Sequence, residues 1–297
     1  MRRVLQPLLW LLVGLAILFL GVLAANAQTE KFLGWKTVGT PSGQFCSRVL
    51  DLASSQLLVS ATAVVSDTPM TICAWAKLYD ASTAVQQIIA STADNDGNDD
   101  RYIHMLEWGH ASGTGSTLNT AFGIASRTTS SRHYSSGSTS SATWYAVCGT
   151  WTPATSPTTL NLYVNYVSGG ATAGGTDNTV FPTVPPTKFM VGARPGSGAG
   201  VYKDWWTGKI AHVAVWNRVL GTAALAAYAA GSNPLASTSY DGTAFNSGLV
   251  AYYPWWDADE NGVGVDDDYS SGGANDLTPV NAPTWDCDDV PTVAAMP

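Results

Sequence analysis

Charge is scarce in this chain. Only 12% of its 297 residues are Asp, Glu, Lys or Arg, and 14 Lys plus Arg stand against 22 Asp plus Glu, a net charge of −8. The basic residues form no cluster, so the electrostatic footprint of a nucleic-acid binder is missing. Glutamate is the rarest acid: Glu30, Glu107 and Glu260 are widely separated. Retaining glycoside hydrolysis needs two carboxylates held about 5 Å apart, which same-face positions of one strand supply. None of the three glutamates has such a partner two residues away along a convincing strand. The four histidines, His104, His110, His133 and His212, are scattered. His104 and His110 flank Glu107, but their strand-like surroundings exclude a helical zinc motif. His212 interrupts an apolar strand and reads as a hydrogen-bonded, partly buried residue. There is no Cys-x-x-Cys pair, no Gly-x-Ser-x-Gly elbow and no phosphate-binding Gly-x-x-x-x-Gly-Lys-Ser/Thr loop. Repeats of solenoid or propeller length are also lacking.

Long apolar runs are lacking too, with one exception at the start. Arg2 and Arg3 precede an almost wholly apolar stretch, 8–23, and Ala25-Asn26-Ala27 then fits the small-x-small cleavage rule. Residues 1–27 therefore read as a signal peptide, with an uncleaved anchor as the alternative. The mature chain would be secreted, periplasmic or on the cell surface, touching a membrane only through an uncleaved segment. Losing Arg2 and Arg3 leaves 12 bases against 22 acids, a net charge of −10.

What is abundant is aromatic: 12 Trp and 12 Tyr, enough for a large core. Strand patterns fall at 45–52, 57–65, 70–77, 87–91, 102–108, 121–125, 144–151, 160–167, 189–192 and 249–254, separated by Gly, Ser, Thr, Pro and Asn. One further strand ends at Trp216. An alanine-rich helical stretch follows Asn217-Arg218 and closes at Gly231 and Asn233-Pro234. Many short strands with one late helix predict an all-β antiparallel sandwich. Residues 28–43 carry few signals and read as a lead-in arm, leaving 44–297 as one domain. Four cysteines in an exported chain suggest disulfides, and three pairings are open. Cys73–Cys148 is favoured because both lie in strand-like runs. Cys46–Cys287 then joins the two ends of the domain, while buried free thiols are the alternative.

Several blocks, in order, resemble the laminin-G-like domains of the concanavalin-A-like lectin and glucanase jelly rolls. Thr71-Ile72-Cys73-Ala74-Trp75-Ala76-Lys77 is similar to an early core strand of that family. Trp144-Tyr145-Ala146-Val147-Cys148-Gly149-Thr150-Trp151 is similar to its central tryptophan-led strand. Leu162-Tyr163-Val164-Asn165 resembles its "LYVNG" strand, with Tyr166 where glycine is usual. Trp206-Thr207-Gly208-Lys209-Ile210 resembles its "F-x-G-x-I" block, with Trp in place of Phe. Asp268-Tyr269-Ser270-Ser271-Gly272 resembles its closing turn. The resemblance spans roughly 44–286 and implies two antiparallel sheets face to face, with loops at the rim of the concave one. It does not name a ligand.

Two acidic loops are candidate calcium sites, since calcium takes six to eight oxygens from flexible loops. The first is 94–100, where Asp94, Asp96, Asp99 and Asp100 stand just before a strand. By the resemblance, Asp99 or Asp100 is the ligand there. A weaker candidate has Asp257, Asp259, Asn261, Gly262 and Asp268 at EF-hand spacing, without flanking helices and with Asp in place of the final Glu. Both clusters also read as solvated turns. The candidate ligand-binding aromatics are Trp108, Trp205, Trp206, Tyr253, Trp255 and Trp256, beside loops. Adjacent strand residues face opposite ways, so one of each pair can enter the core while the other stacks on a sugar ring. Trp75 and Trp151 read as core. The expected function is non-catalytic recognition of a glycan or an extracellular protein through rim loops, with calcium as the candidate cofactor. The alternative is a self-assembling protein of a surface layer or phage particle, and a glycoside hydrolase is the third reading.

Overall fold

Alternation of β-branched or aromatic residues with small ones, broken by Gly, Pro and Asn, gives the chain many short strands and few helical stretches. The computed structural model describes residues 49–53, 55–65, 69–82, 85–93, 102–111, 118–126, 132–134, 139–152, 158–165, 172–177, 186–196, 200–254, 268, 270, 275–281, 283–286 and 291. The chain divides into Met1–Phe45 with Pro297, and Cys46–Met296, and all described residues belong to the second unit.

Its strands are β1 (Val49–Leu52), β2 (Leu57–Ser60), β3 (Met70–Leu78), β4 (Gln87–Ala93), β5 (Tyr102–Ala111), β6 (Leu118–Ser126), β7 (Arg132–Tyr134), β8 (Trp144–Thr152), β9 (Thr158–Val164) and β10 (Thr172–Asp177). They continue with β11 (Lys188–Val191), β12 (Arg194–Pro195), β13 (Tyr202–Lys203), β14 (Gly208–Trp216), helix α1 (Thr222–Ala229), β15 (Ser239–Tyr240), β16 (Thr243–Ala244), β17 (Leu249–Tyr253), β18 (Leu277–Val280) and β19 (Thr284–Asp286). An eight-stranded sheet has the order β10-β9-β8-β3-β14-β1-β19, with β17 on the remaining half of β14. A seven-stranded sheet has the order β18-β2-β11-β4-β5-β6-β7, and β12-β13 and β15-β16 are small ribbons. The all-β jelly-roll expectation is met, with one helix among the described residues.

Between the sheets lies the main core. Leu106, Trp108, Phe122 and Ile124 of the seven-stranded sheet meet Ile72, Val147 and Trp151 of the eight-stranded one. Gly149 marks the closest approach: a Cβ there would stand 2.7 Å from Leu106 and 2.9 Å from Ile124. Trp151 reaches across to donate its indole N–H to the Ala125 carbonyl at 3.3 Å.

A second layer covers the back of the eight-stranded sheet. Helix α1 buries Ala224, Leu225, Ala227 and Tyr228. Trp216 stacks on Phe245 and meets Tyr228 edge-on. Cys73 and Cys148 lie directly opposite each other on β3 and β8 and form a disulfide. Cys46 and Cys287 lie outside the described residues.

β14 carries an irregularity under this layer. Its register with β3 shifts between Ala211 and Ala214, so His212 and Val213 face a single residue of the partner. His212 takes a left-handed φ of 51°. Its carbonyl accepts the Tyr228 hydroxyl at 2.5 Å, and its Nδ1 lies 2.9 Å from the Tyr252 hydroxyl. Burial holds the imidazole pKa down at about 4 and pushes both tyrosine hydroxyls up. His212 is thus buried and hydrogen-bonded, as its place in an apolar strand implied.

The registers also define two poles. Leu52, Leu78, Gln87 and Gly208 lie at one, where Tyr79 N–H donates to Thr207 O and Ile88 N–H to Asp204 O. Met70, Ala93, Tyr102 and Trp216 lie at the other. The nine residues of β14 separate them by about 30 Å. β1 runs towards the first pole, and its neighbour β19 runs away from it.

Candidate functional site

At the first pole the β3–β4 connection meets the β12–β13 ribbon. The large exposed apolar side chains among the described residues are Tyr79 (45%), Val85 (61%) and Val201 (47%), and all three stand here. Half-buried Tyr202 and Trp205 join them, with ring centroids 6.0 Å apart and an edge-to-face angle of 68°. Scattered surface hydrophobes need no explanation, whereas several on elements that meet at one pole make that pole the candidate contact surface.

The local chain explains why Trp205 faces out. Asp204 takes a left-handed φ of 55°, unusual for a residue with a side chain. The turn is pinned on both sides. The Asp204 carbonyl accepts Ile88 N–H at 2.9 Å, and Trp206 N–H donates to Gly192 O at 2.7 Å. Thr207 N–H donates to the Gln87 side chain at 2.7 Å. The Arg194 guanidinium, opposite on β12, forms an ion pair with the Asp204 carboxylate. The indole of Trp206 is carried into the core while that of Trp205 stays at the surface.

Polar groups lie next to this platform. Gln86 donates its amide to Glu107 at 2.5 Å, and the Glu107 side chain is fully buried. Its partners in register are Ile88 and Gly123, neither of them an acid. Sequence reasoning missed Tyr79, Val85, Val201, Tyr202, Arg194 and Asp204. The Gly-rich segment 196–200 flanked by Arg194-Pro195 and Tyr202-Lys203 was the available hairpin signal.

Three expected ligand aromatics are corrected by their burial. Trp108, Trp206 and Tyr253 have no exposed surface. Trp108 lies on the inward face of β5 with Leu106, and Trp206 packs into the same core. Tyr253 stacks on Phe189 of the opposite sheet, and its hydroxyl donates to Asn275 O. The one-in, one-out rule works at Trp205-Trp206 but not at Tyr252-Tyr253. Both faces of β17 are covered there, one by the opposite sheet and the other by the helical layer around His212. Trp255 and Trp256 lie outside the described residues.

Asp94, Asp96, Asp99 and Asp100 lie outside the described residues, but the strand ends flanking them, Ala93 and Tyr102, are at the far pole. Asp257, Asp259 and Asn261 are outside as well. Asp268 is described and does not fit a metal ligand. Its carboxylate accepts Tyr252 N–H, Ser270 N–H, the Ser270 hydroxyl and the Asn275 amide, at 2.8 to 3.1 Å. Those four donors fix the closing turn against β17. Among the described residues no group of His, Cys, Asp or Glu is arranged to hold a metal. Nor is any described helix long and apolar enough to cross a membrane.

Comparison with known proteins places the architecture. No curated protein matches the sequence. A Bacteroides ovatus ATCC 8483 protein, provisionally named as carbohydrate binding, is similar in structure with a TM-score of 0.55. Identity is 19%, over 86% of this chain and 67% of that one. A heptameric SAP-like pentraxin of Limulus polyphemus matches at TM-score 0.46 and 17% identity, over 63% of this chain and 84% of that one. Tailspike protein 2 of the Escherichia coli O157:H7 bacteriophage CAB120 matches at TM-score 0.41 and 12% identity, over 75% of this chain and 31% of that one. At such identities the likeness concerns the fold alone. A family model described as the concanavalin A-like lectin/glucanases superfamily matches residues 52–226, more than half of the chain, and the chain belongs to that superfamily.

Proposed function

We propose that the chain is an exported, non-catalytic recognition module that binds a glycan at the first pole through Trp205, Tyr202 and Tyr79. The observation that carries the reading is the placement of exposed Tyr79, Val85 and Val201 and half-buried Tyr202 and Trp205 on elements that meet at one pole. Aromatic faces bind the apolar faces of pyranose rings and keep a polar edge for water. The Bacteroides ovatus protein of similar fold, with its provisional name, points the same way. Export is supported by the leader-like start and by the Cys73–Cys148 disulfide, since such bonds persist in oxidising compartments.

The non-catalytic reading is supported by Glu107. It is held by the Gln86 amide, and its register partners Ile88 and Gly123 are not the second carboxylate that glycoside hydrolysis needs. Calcium is proposed only for the 94–100 loop. Val85 and Val201, being aliphatic, also favour a second reading in which the rim meets a protein, including another copy of this chain.

A glycan array probed with the purified protein tests the assignment. Wild type should bind a defined subset of glycans, and Trp205→Ala should abolish binding with an unchanged melting temperature. No glycan bound, together with ordered assembly in solution, would replace glycan recognition by the second reading.

A further inference from the structure

We propose that Arg194 and Asp204 are positioning residues. Their ion pair fixes the Tyr202–Trp205 platform in its binding orientation before any ligand arrives. The inference deepens the recognition reading and rests on it for its functional consequence, though not for its conformational one.

Asp204 immediately precedes Trp205 and has a backbone conformation that side-chain-bearing residues rarely adopt. Such a residue stays in place only when its surroundings hold it. The carbonyl is held by Ile88 and the chain beyond Trp205 by Gly192 and Gln87. The carboxylate is held by Arg194, whose side chain is 9% exposed against 22% for Asp204. Arg194 sits on β12 opposite Lys203, so the ion pair spans the ribbon next to Tyr202 and Trp205. A planar guanidinium on a carboxylate is a directional contact and constrains the turn more than a point charge would. The consequence is preorganisation: less of the binding free energy goes into ordering the aromatic pair.

The test uses full-length protein labelled with 5-fluorotryptophan, read by fluorine NMR. Trp205→Phe assigns the Trp205 resonance and Trp206→Phe that of its buried neighbour. In wild type the Trp205 line should be single and narrow. Arg194→Met should broaden or split it and leave the Trp206 line unchanged, and Arg194→Lys should restore it only in part. Asp204→Gly separates clasp from turn, because glycine accepts the left-handed backbone without strain but has no carboxylate. If the ion pair positions the platform, Asp204→Gly broadens the Trp205 line as Arg194→Met does. Affinity for the best array glycan should fall about tenfold in both variants, the loss typical of a disordered binding side chain. A narrow, unshifted Trp205 line in both variants would overturn the proposal. Should either variant fail to fold, Asp204→Asn, which tolerates the backbone and removes the charge, gives the same decision. Broadening in Arg194→Met together with array binding that survives Trp205→Ala would leave the clasp standing and refute glycan recognition at this rim.

Discussion

His212 shows how one residue can couple strand geometry to acidity. Its imidazole lies inside the helical layer, and burial lowers its pKa from 6.5 to about 4. In the unfolded chain the same ring titrates near 6.5. The unfolded state therefore takes up a proton first as pH falls, and acid favours unfolding. Stability from this residue is complete above about pH 6.5 and is lost as pH drops towards 4, about 3 kcal/mol in all. Urea denaturation at pH 7, 5.5 and 4 should show this loss in wild type. His212→Asn, which tolerates the left-handed backbone and does not titrate, should show a correspondingly flatter dependence. Equal pH slopes in the two proteins would assign the acid sensitivity elsewhere. The sequence revealed His212 as an oddity in an apolar strand, but not the bulge, which depends on Tyr228 and Tyr252 arriving from two other elements.

Helix α1 was legible as an element, though its start was not. Its end follows local chemistry. Gly231 has a φ of 85°, Gly231 N–H donates to Tyr228 O and Ser232 N–H to Ala227 O, which closes the helix in a glycine-dependent turn. Its beginning has no local cap. Gly221 occupies the cap position, and the Asp241 carboxylate, on the β15–β16 turn, accepts the amides of Ala223 and Ala224 at 3.1 to 3.3 Å. A Cβ on Gly221 would lie 2.2 Å from that carboxylate, so the glycine makes room for a remote cap. Asp241→Ala should cost about 1–2 kcal/mol of stability by chemical denaturation, and Gly221→Ala should destabilise through the same contact. An unchanged denaturation midpoint in Asp241→Ala would deny the cap its role. The Asp241-Gly242 pair is itself a tight-hairpin signal, with both residues at positive φ. Strands such as β3 and β8 were legible because local pattern suffices for them. The short strands β12, β13, β15 and β16 were not, because two residues carry no period and pair only by tertiary placement.

Across the whole molecule, the proposed rim and the strand ends beside the 94–100 loop can be placed by strand direction. The proposed recognition rim lies at one pole, and the strand ends leading into the 94–100 loop lie at the other. Calcium proposed for that loop would act through the strand ends Ala93 and Tyr102, which are not at the Trp205 pole. Millimolar calcium should therefore raise the melting temperature relative to chelator and leave glycan affinity unchanged. A glycan affinity that disappears in chelator would contradict this separation. Linear sequence offered both candidates, since Asp-Asn-Gly clusters and paired Trp are local signals. It did not show that Ala93 and Tyr102 lie at the opposite pole from Asp204 and Thr207, which follows from strand direction.

The hydrogen-bonded pairing of β1 with β14 and of β19 with β1 also dictates an order of assembly. Leu50 faces Ile210 on one side and Trp285 on the other, so the border of the large sheet joins residues from nearly the full length of the domain. A chain emerging amino end first cannot complete this border until β19, the last of the described strands, is available. Until then the exposed ladder of β1 is open to stray strands, and folding is slow in proportion to the distances closed. Pairing of β19 is thus the step that covers the β1 ladder.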